Sequence, residues 1–165
     1  MIASSDQQIV NLSDQAIRPD DVLSVIHHTT LQVSVHIQNC TSHDWEQIGV
    51  ALTSLDSLRS LTLRSCEVGD AFFVALSAHS SLLSLSIGTY TDDGASCSVS
   101  NSSVNSISTI NQLEELEIGT EGEMLDNNTE VTLSAYCNVL SIRNLKRLVF
   151  APPITTISFC KTALT

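Results

Sequence analysis

Cys40 and Cys66, with His43 three residues beyond the first, are the residues of this chain best suited in type to hold a metal. Thiolate and imidazole are preferred zinc ligands, but a structural zinc site closes with four ligands at defined spacing, and these three do not complete one. The alternative role for the two cysteines is as buried structural thiols. Cys97 stands in a polar stretch where an exposed thiol would be open to redox chemistry, yet no Lys, Arg or His lies close in sequence to lower its pKa. His27 and His28 end a predicted helix, where partial positive charge is favourable. His36, between Val35 and Ile37, points out of a buried strand face, as a contact residue or a solvated one. Acid pairs occur at Asp92-Asp93 and Glu114-Glu115. Neighbours on a strand face opposite sides, so Glu114 and Glu115 cannot share a proton as a catalytic pair. There is no nucleophile elbow, no His-Glu-x-x-His and no dinucleotide fingerprint, and with six glycines in all a phosphate-cradling loop is not expected. The residues therefore argue against an enzyme, and no catalytic, cofactor or metal-binding set is expected.

Charge narrows the partners. The chain carries 18 acids against 7 bases, a formal charge of −11. Such a surface repels nucleic-acid phosphate and anionic lipid, and favours a protein with a basic patch. The same acids also serve simply to keep the chain in solution. No run approaches the ~20 apolar residues of a membrane span, and the first residues show neither a basic segment nor a long apolar one. Five cysteines, an odd number without framework spacing, fit free thiols in a reducing compartment, so the expected location is cytoplasmic.

The elements that must position these residues are set by a recurring phrase, Leu-x-x-Leu-x-Leu. It reads Leu58-Arg-Ser-Leu61-Thr-Leu63, Leu82-Leu-Ser-Leu85-Ser-Ile87, Leu113-Glu-Glu-Leu116-Glu-Ile118 and Leu145-Lys-Arg-Leu148-Val-Phe150. Val35-His-Ile37 and Val10-Asn-Leu12 occupy the same slot, at steps of about 25, 26, 24, 31 and 32 residues. Each phrase alternates apolar and polar, which predicts a strand. Helical spacing follows: Ile48, Leu52 and Leu55 after an Asp44 N-cap; Phe72, Phe73 and Leu76; Val104, Ile107 and Ile110; and Leu133, Tyr136, Cys137 and Leu140. Pro19, Asp20 and Asp21 suit a first helical turn, with Val22, Leu23 and Ile26 as its buried face. A helix crossing back between strands makes successive strands parallel. The expected fold is one α/β solenoid domain over 1–165, with a curved parallel sheet on the concave side and helices on the convex side. It holds five to six repeats, clear over 31–150. Residues 1–30 form an N-terminal unit or cap and 151–165 an incomplete terminal unit. Aromatics are only 4% of the chain, so the core is aliphatic, as thin stacked layers require.

Two units share a finer signature. Val35-His-Ile-Gln-Asn-Cys40 and Leu61-Thr-Leu-Arg-Ser-Cys66 place Cys at one offset, with Asp44 and Asp70 four residues on. This resembles the leucine-rich repeats of the ribonuclease-inhibitor and NOD-like-receptor type, whose pattern is Leu-x-x-Leu-x-Leu-x-x-Cys/Asn followed by a full helix. The resemblance covers about 31–150, and the later units depart from it, with Tyr90, Glu121 and Pro153 in the Cys/Asn slot. It implies that Cys40 and Cys66 hydrogen-bond the loop backbone, and that the chain binds protein. It also leaves open a regulator of an enzyme, as inhibitor or GTPase activator, and a purely structural segment of a longer array.

Strand alternation selects the concave residues: Ser34, His36 and Gln38; Ser60, Thr62 and Arg64; Ser84, Ser86 and Gly88; Glu115, Glu117 and Gly119; Arg147, Val149 and Ala151. Glu115 and Glu117 can pair with Arg147 across adjacent strands. The two long repeats add a Ser-rich stretch around Tyr90, Asp92 and Asp93, and an acidic one with Glu121, Glu123 and Asp126. Extra length in stacked repeats emerges as loops, often on a binding face. These read as an acidic recognition edge or as solvated loops. The expected function is protein recognition through His36, Thr62, Arg64, Glu115, Glu117 and Arg147 with those two edges. The partner is a protein with a basic patch, and the apolar C-terminal rung offers self-association or a junction to further repeats.

Overall fold

The computed structural model describes residues 7–25, 32–88, 99–119 and 131–150. Strands and helices alternate through it: β1 (Gln7–Ser13), α1 (Pro19–Val25), β2 (Gln32–Gln38), α2 (Trp45–Thr53), β3 (Leu58–Arg64), α3 (Asp70–Leu76), β4 (Ser84–Gly88), α4 (Asn101–Ser108), β5 (Glu115–Ile118), α5 (Leu133–Leu140) and β6 (Arg147–Phe150). The six strands form one sheet in sequence order, every pair parallel. This α/β arrangement is compatible with a solenoid.

The strand register follows the aliphatic slots of the sequence. Val10 pairs with Val35, Val35 with Leu61, Leu61 with Leu85, Leu85 with Leu116 and Leu116 with Leu148. A one-residue slip would turn each of these side chains to the other face, so burial fixes the pairing. Leu61, Leu63, Leu85, Ile87, Leu116 and Ile118 are buried, and each contributes roughly 1.5–3 kcal/mol relative to exposure. One irregularity falls between Val33 and Ser34, because Leu58 stands three residues before Leu61 while its partner Val33 stands two before Val35.

The helices cover the other side of this core. Asp44 caps α2 by accepting the Gln47 N–H at 3.2 Å, and Ile48 and Leu52 are fully buried. Ser100 caps α4, accepting from the Ser102 and Ser103 N–H groups, and Thr132 caps α5 through the Ala135 N–H. At the other end a feature recurs that the sequence analysis does not contain. Ser54, Ser77, Thr109 and Ser141 each follow a helix and donate a hydroxyl hydrogen bond of 2.6–2.7 Å to the carbonyl three residues back. These hydroxyls add a donor to carbonyls of the last turn, three of which also accept the N–H of the same capping residue.

Two expected helix faces differ. In α5 the buried residues are Ala135 and Val139, flanked by buried Val131 and Ile142, while Cys137 and Leu140 are exposed. The segment holds two stripes at helical spacing, and the one with the small Ala135 faces inward. Tyr136 is half-buried, its ring centroid 5.0 Å from that of Phe150. In α1, Val22 is fully buried but Leu23 is 41% exposed, since the adjoining position of so short a helix lies off its inner face. Ile26, His27 and His28 lie outside the described residues.

Candidate recognition surface

Two rows of side chains cross the sheet on the face opposite the helices. One runs Ser34, Ser60, Ser84, Glu115, Arg147; the next runs His36, Thr62, Ser86, Glu117, Val149. A shorter third row holds Gln38, Arg64 and Gly88. The rows match the residues selected by alternation. His36, Thr62, Arg64 and Glu117 are half-buried and Glu115 and Arg147 exposed, whereas Ser34 is buried and accepts a hydrogen bond from Gln7 Nε2 at 2.8 Å. β1 extends the face with Ile9, 60% exposed, and Asn11 beside His36.

The charged residues of this face form one network. Arg64 Nη2 donates to Ser86 Oγ at 3.0 Å and lies 3.4 Å from Glu117 Oε1. The other Glu117 oxygen lies 3.6 Å from Arg147 Nη1. Glu117 is thus clamped between two arginines from β3 and β6, and the network spans four strands. Pairs this exposed contribute only about 0–1 kcal/mol, but they hold the long side chains in one arrangement. The two arginines share one carboxylate, which leaves the network one positive charge in excess, while Glu115 faces solvent. Below the face, Lys146 Nζ pairs with Glu114 Oε2 at 2.8 Å.

The cysteines of the two similar units sit one rung apart and are both buried. Cys40 Sγ donates toward the Leu12 and Gln38 carbonyls at 3.5 and 3.3 Å; Cys66 Sγ does so toward Ile37 and Arg64 at 3.7 and 3.1 Å. Burial pushes the Cys40 thiol above its ordinary pKa, which disfavours the thiolate a metal would need. The residues between each strand and its cysteine, Asn39 and Ser65, adopt positive φ, as does Asp14 after β1. Asn39 Nδ2 donates to Asp14 Oδ1 at 3.0 Å, joining two of these turns. Among the described residues no group of three or more His, Cys, Asp or Glu is placed to hold a metal ion, and no helix is long and apolar enough to cross a membrane.

Of the residues expected at the surface, Tyr90, Asp92, Asp93, Glu121, Glu123 and Asp126 lie outside the described residues, as do Cys97 and Ala151. One residue that the sequence analysis passes over proves to be structural. His79 is buried and stands three residues before Leu82, where the other units place Leu55, Ile110 and Ile142 before Leu58, Leu113 and Leu145. Elsewhere the backbone closes this turn, as in Leu58 N–H to the Leu55 carbonyl. Here the Ser81 and Leu82 N–H groups donate to His79 Nδ1, both at 3.1 Å, and the His79 carbonyl accepts from Gln112 Nε2. Alignment on the leucine slot would have revealed it.

No family model, no curated protein and no solved structure matches the chain.

Proposed function

We propose that the chain is a leucine-rich-repeat recognition module that binds another protein through the concave face of its sheet, together with the acidic stretch that holds Glu121, Glu123 and Asp126. The observation that carries this reading is the pair of side-chain rows on the helix-free face, in register across five strands. Helices cover one side of the sheet, and the rows leave small residues, Ser60, Thr62, Ser84 and Ser86, beside a fixed charged cluster. Small side chains admit a partner close to the sheet, and Arg64, Glu115 and Arg147 give it polarity to match. The parallel strand–helix alternation and the shared Cys40 and Cys66 geometry support the repeat type.

The test is affinity capture from cell lysate with the native chain and with a Thr62→Lys, Ser86→Lys, Glu115→Lys variant, at low and raised salt. A partner held by the native chain, released by salt and lost with the variant is the expected result. Identical capture by both baits rejects the face.

A second reading has one observation of its own. Leu148 and Phe150 of β6 are only partly buried, whereas their neighbours Leu116 and Ile118 are fully so. A further repeat or a second copy seated there would complete the rung. Light scattering across a concentration series tests it: a mass that stays monomeric rejects self-association.

A further inference from the structure

The net acidity of the chain is distributed unevenly over the fold. On the edge where strands end and helices begin, the described residues include Asp14, Asp20, Asp21, Asp44, Glu46, Glu67 and Asp70, against Arg18. On the opposite edge, where helices end and strands begin, Asp56 and Glu114 face Arg59, Arg143 and Lys146. Several acids of the first edge have structural work: Asp44 caps α2, Asp21 accepts the Arg18 N–H, and Asp70 accepts from the Ser100 and Ser103 hydroxyls. Asp20, Glu46 and Glu67 are exposed and make no hydrogen bond or ion pair among the described residues.

Two adjoining grooves open on this same edge. One, of about 330 Å³, has an apolar lining of Ala16, Ile17 and Pro19. The other, of about 300 Å³, is walled by Trp45 and Phe72 and runs past Gly69. His43 and Asp44 line both and form the ridge between them. Trp45 packs edge-on against Phe72 with ring centroids 6.0 Å apart, and its buried indole N–H has no acceptor among the described residues. A Cβ on Gly69 would meet nothing within 4 Å, so the space beside it is open.

Apolar lining and a rim of unengaged carboxylates together define an occupant. We infer that this edge docks a basic peptide segment of a partner protein, with an apolar side chain seated against Trp45 and Ala71 and its lysines or arginines facing Glu46 and Glu67. This rests on the reading of the chain as a recognition module and places a second contact apart from the sheet face. The two contacts together would let one partner be gripped by charge at the edge and by shape at the face.

Trp45 is the only tryptophan of the chain, so its fluorescence reports on this groove alone. The probe is a short peptide of alternating lysine and leucine, compared with alternating glutamate and leucine and with oligolysine. The expected result is a saturable change in Trp45 emission with the lysine–leucine peptide only. It should weaken at least tenfold with Glu46→Gln plus Glu67→Gln, and be blocked by Gly69→Leu, which fills the groove. Circular dichroism and melting check that both variants fold. No change in emission, an equal response to oligolysine, or a response that survives both variants overturns the inference. The sheet-face variant leaves these residues untouched: capture that still depends on Thr62, Ser86 and Glu115 while the groove fails overturns this contact and leaves the recognition reading standing.

Discussion

Arg64 occupies the space that a side chain on Gly88 would need: a Cβ there would lie 1.6 Å from Arg64 Nη1. The glycine lets the arginine stem lie flat over β4 and reach Ser86 and Glu117. The predicted outcome of Gly88→Ala is therefore a displaced guanidinium rather than a broken sheet. Stability should change by less than about 1 kcal/mol, since the side chains of the lost pair are still 26% and 19% exposed to solvent. A double-mutant cycle between Arg64→Ala and Glu117→Gln should give a coupling that disappears when Gly88→Ala is added. A coupling unchanged by the alanine would show that Arg64 does not need the glycine.

Gly49 makes the opposite case. Alanine in a helix ordinarily gains about 1 kcal/mol over glycine. Here the added Cβ would sit 2.8 Å from the Phe72 carbonyl oxygen and 3.0 Å from the Ala75 Cβ. Backbone cannot swing aside as a side chain can, so α2 and α3 must separate. Gly49→Ala should destabilise by about 1–3 kcal/mol, the usual effect of overpacking. Chemical denaturation would measure it, and a stabilised variant would mean that the two helices are less closely seated.

His79 should make the fold sensitive to mild acid. Burial, helped by the Arg59 charge, lowers its pKa from the ordinary 6.5. Asp56 acts in the opposite direction, as do the Leu52 and Leu55 carbonyls. Below 6.5 the unfolded chain binds the proton more readily than the folded one, so stability is complete above that pH and falls as pH drops beneath it. His79→Gln keeps an acceptor for the Ser81 and Leu82 N–H groups and does not titrate. Melting curves between about pH 7.5 and 5 should show a shallower loss for this variant; parallel curves would remove His79 as the cause.

The described cysteines should differ in reactivity. Cys137 is exposed, whereas Cys40 and Cys66 are buried and bonded to carbonyls. Thiolate character and access govern the rate of alkylation. Residue-resolved mass spectrometry of the native protein should find Cys137 modified well before the other two, which should react only once urea unfolds the chain. Early labelling of Cys66 would contradict the burial of its rung.

Strand positions were legible because the aliphatic pairs alternate evenly and, up to β5, are buried: Val10, Val35, Leu61, Leu85, Leu116 and Leu148 could be aligned by spacing alone. The pairing of Glu117 with Arg147 was also within reach, since their strands are neighbours. Its pairing with Arg64 was not, because 53 residues and an intervening strand separate them and the contact depends on Gly88 having no side chain. The inner face of α5 was misread because Leu133, Tyr136, Cys137 and Leu140 have the same period as Val131, Ala135, Val139 and Ile142. Periodicity cannot choose between two stripes; closeness of approach to the sheet does. His79 escaped because it carries a polar ring in the slot that Leu55, Ile110 and Ile142 fill with aliphatic side chains, six residues before Leu85 as they are before Leu61, Leu116 and Leu148.

The sequential order of the sheet has a mechanical consequence. Each strand is bonded only to the strands before and after it in the chain. Pulled from its two ends, such a sheet carries load across its strand pairs in series, and among the described residues the half-buried Arg64–Glu117 contact is a weak tie that reaches past a neighbouring strand. It should peel open one rung at a time, and each release from β3 onward frees 24 to 32 residues, roughly 80 to 110 Å of extended chain. Single-molecule extension would record this as steps of that length, with the last strands giving way independently of the first.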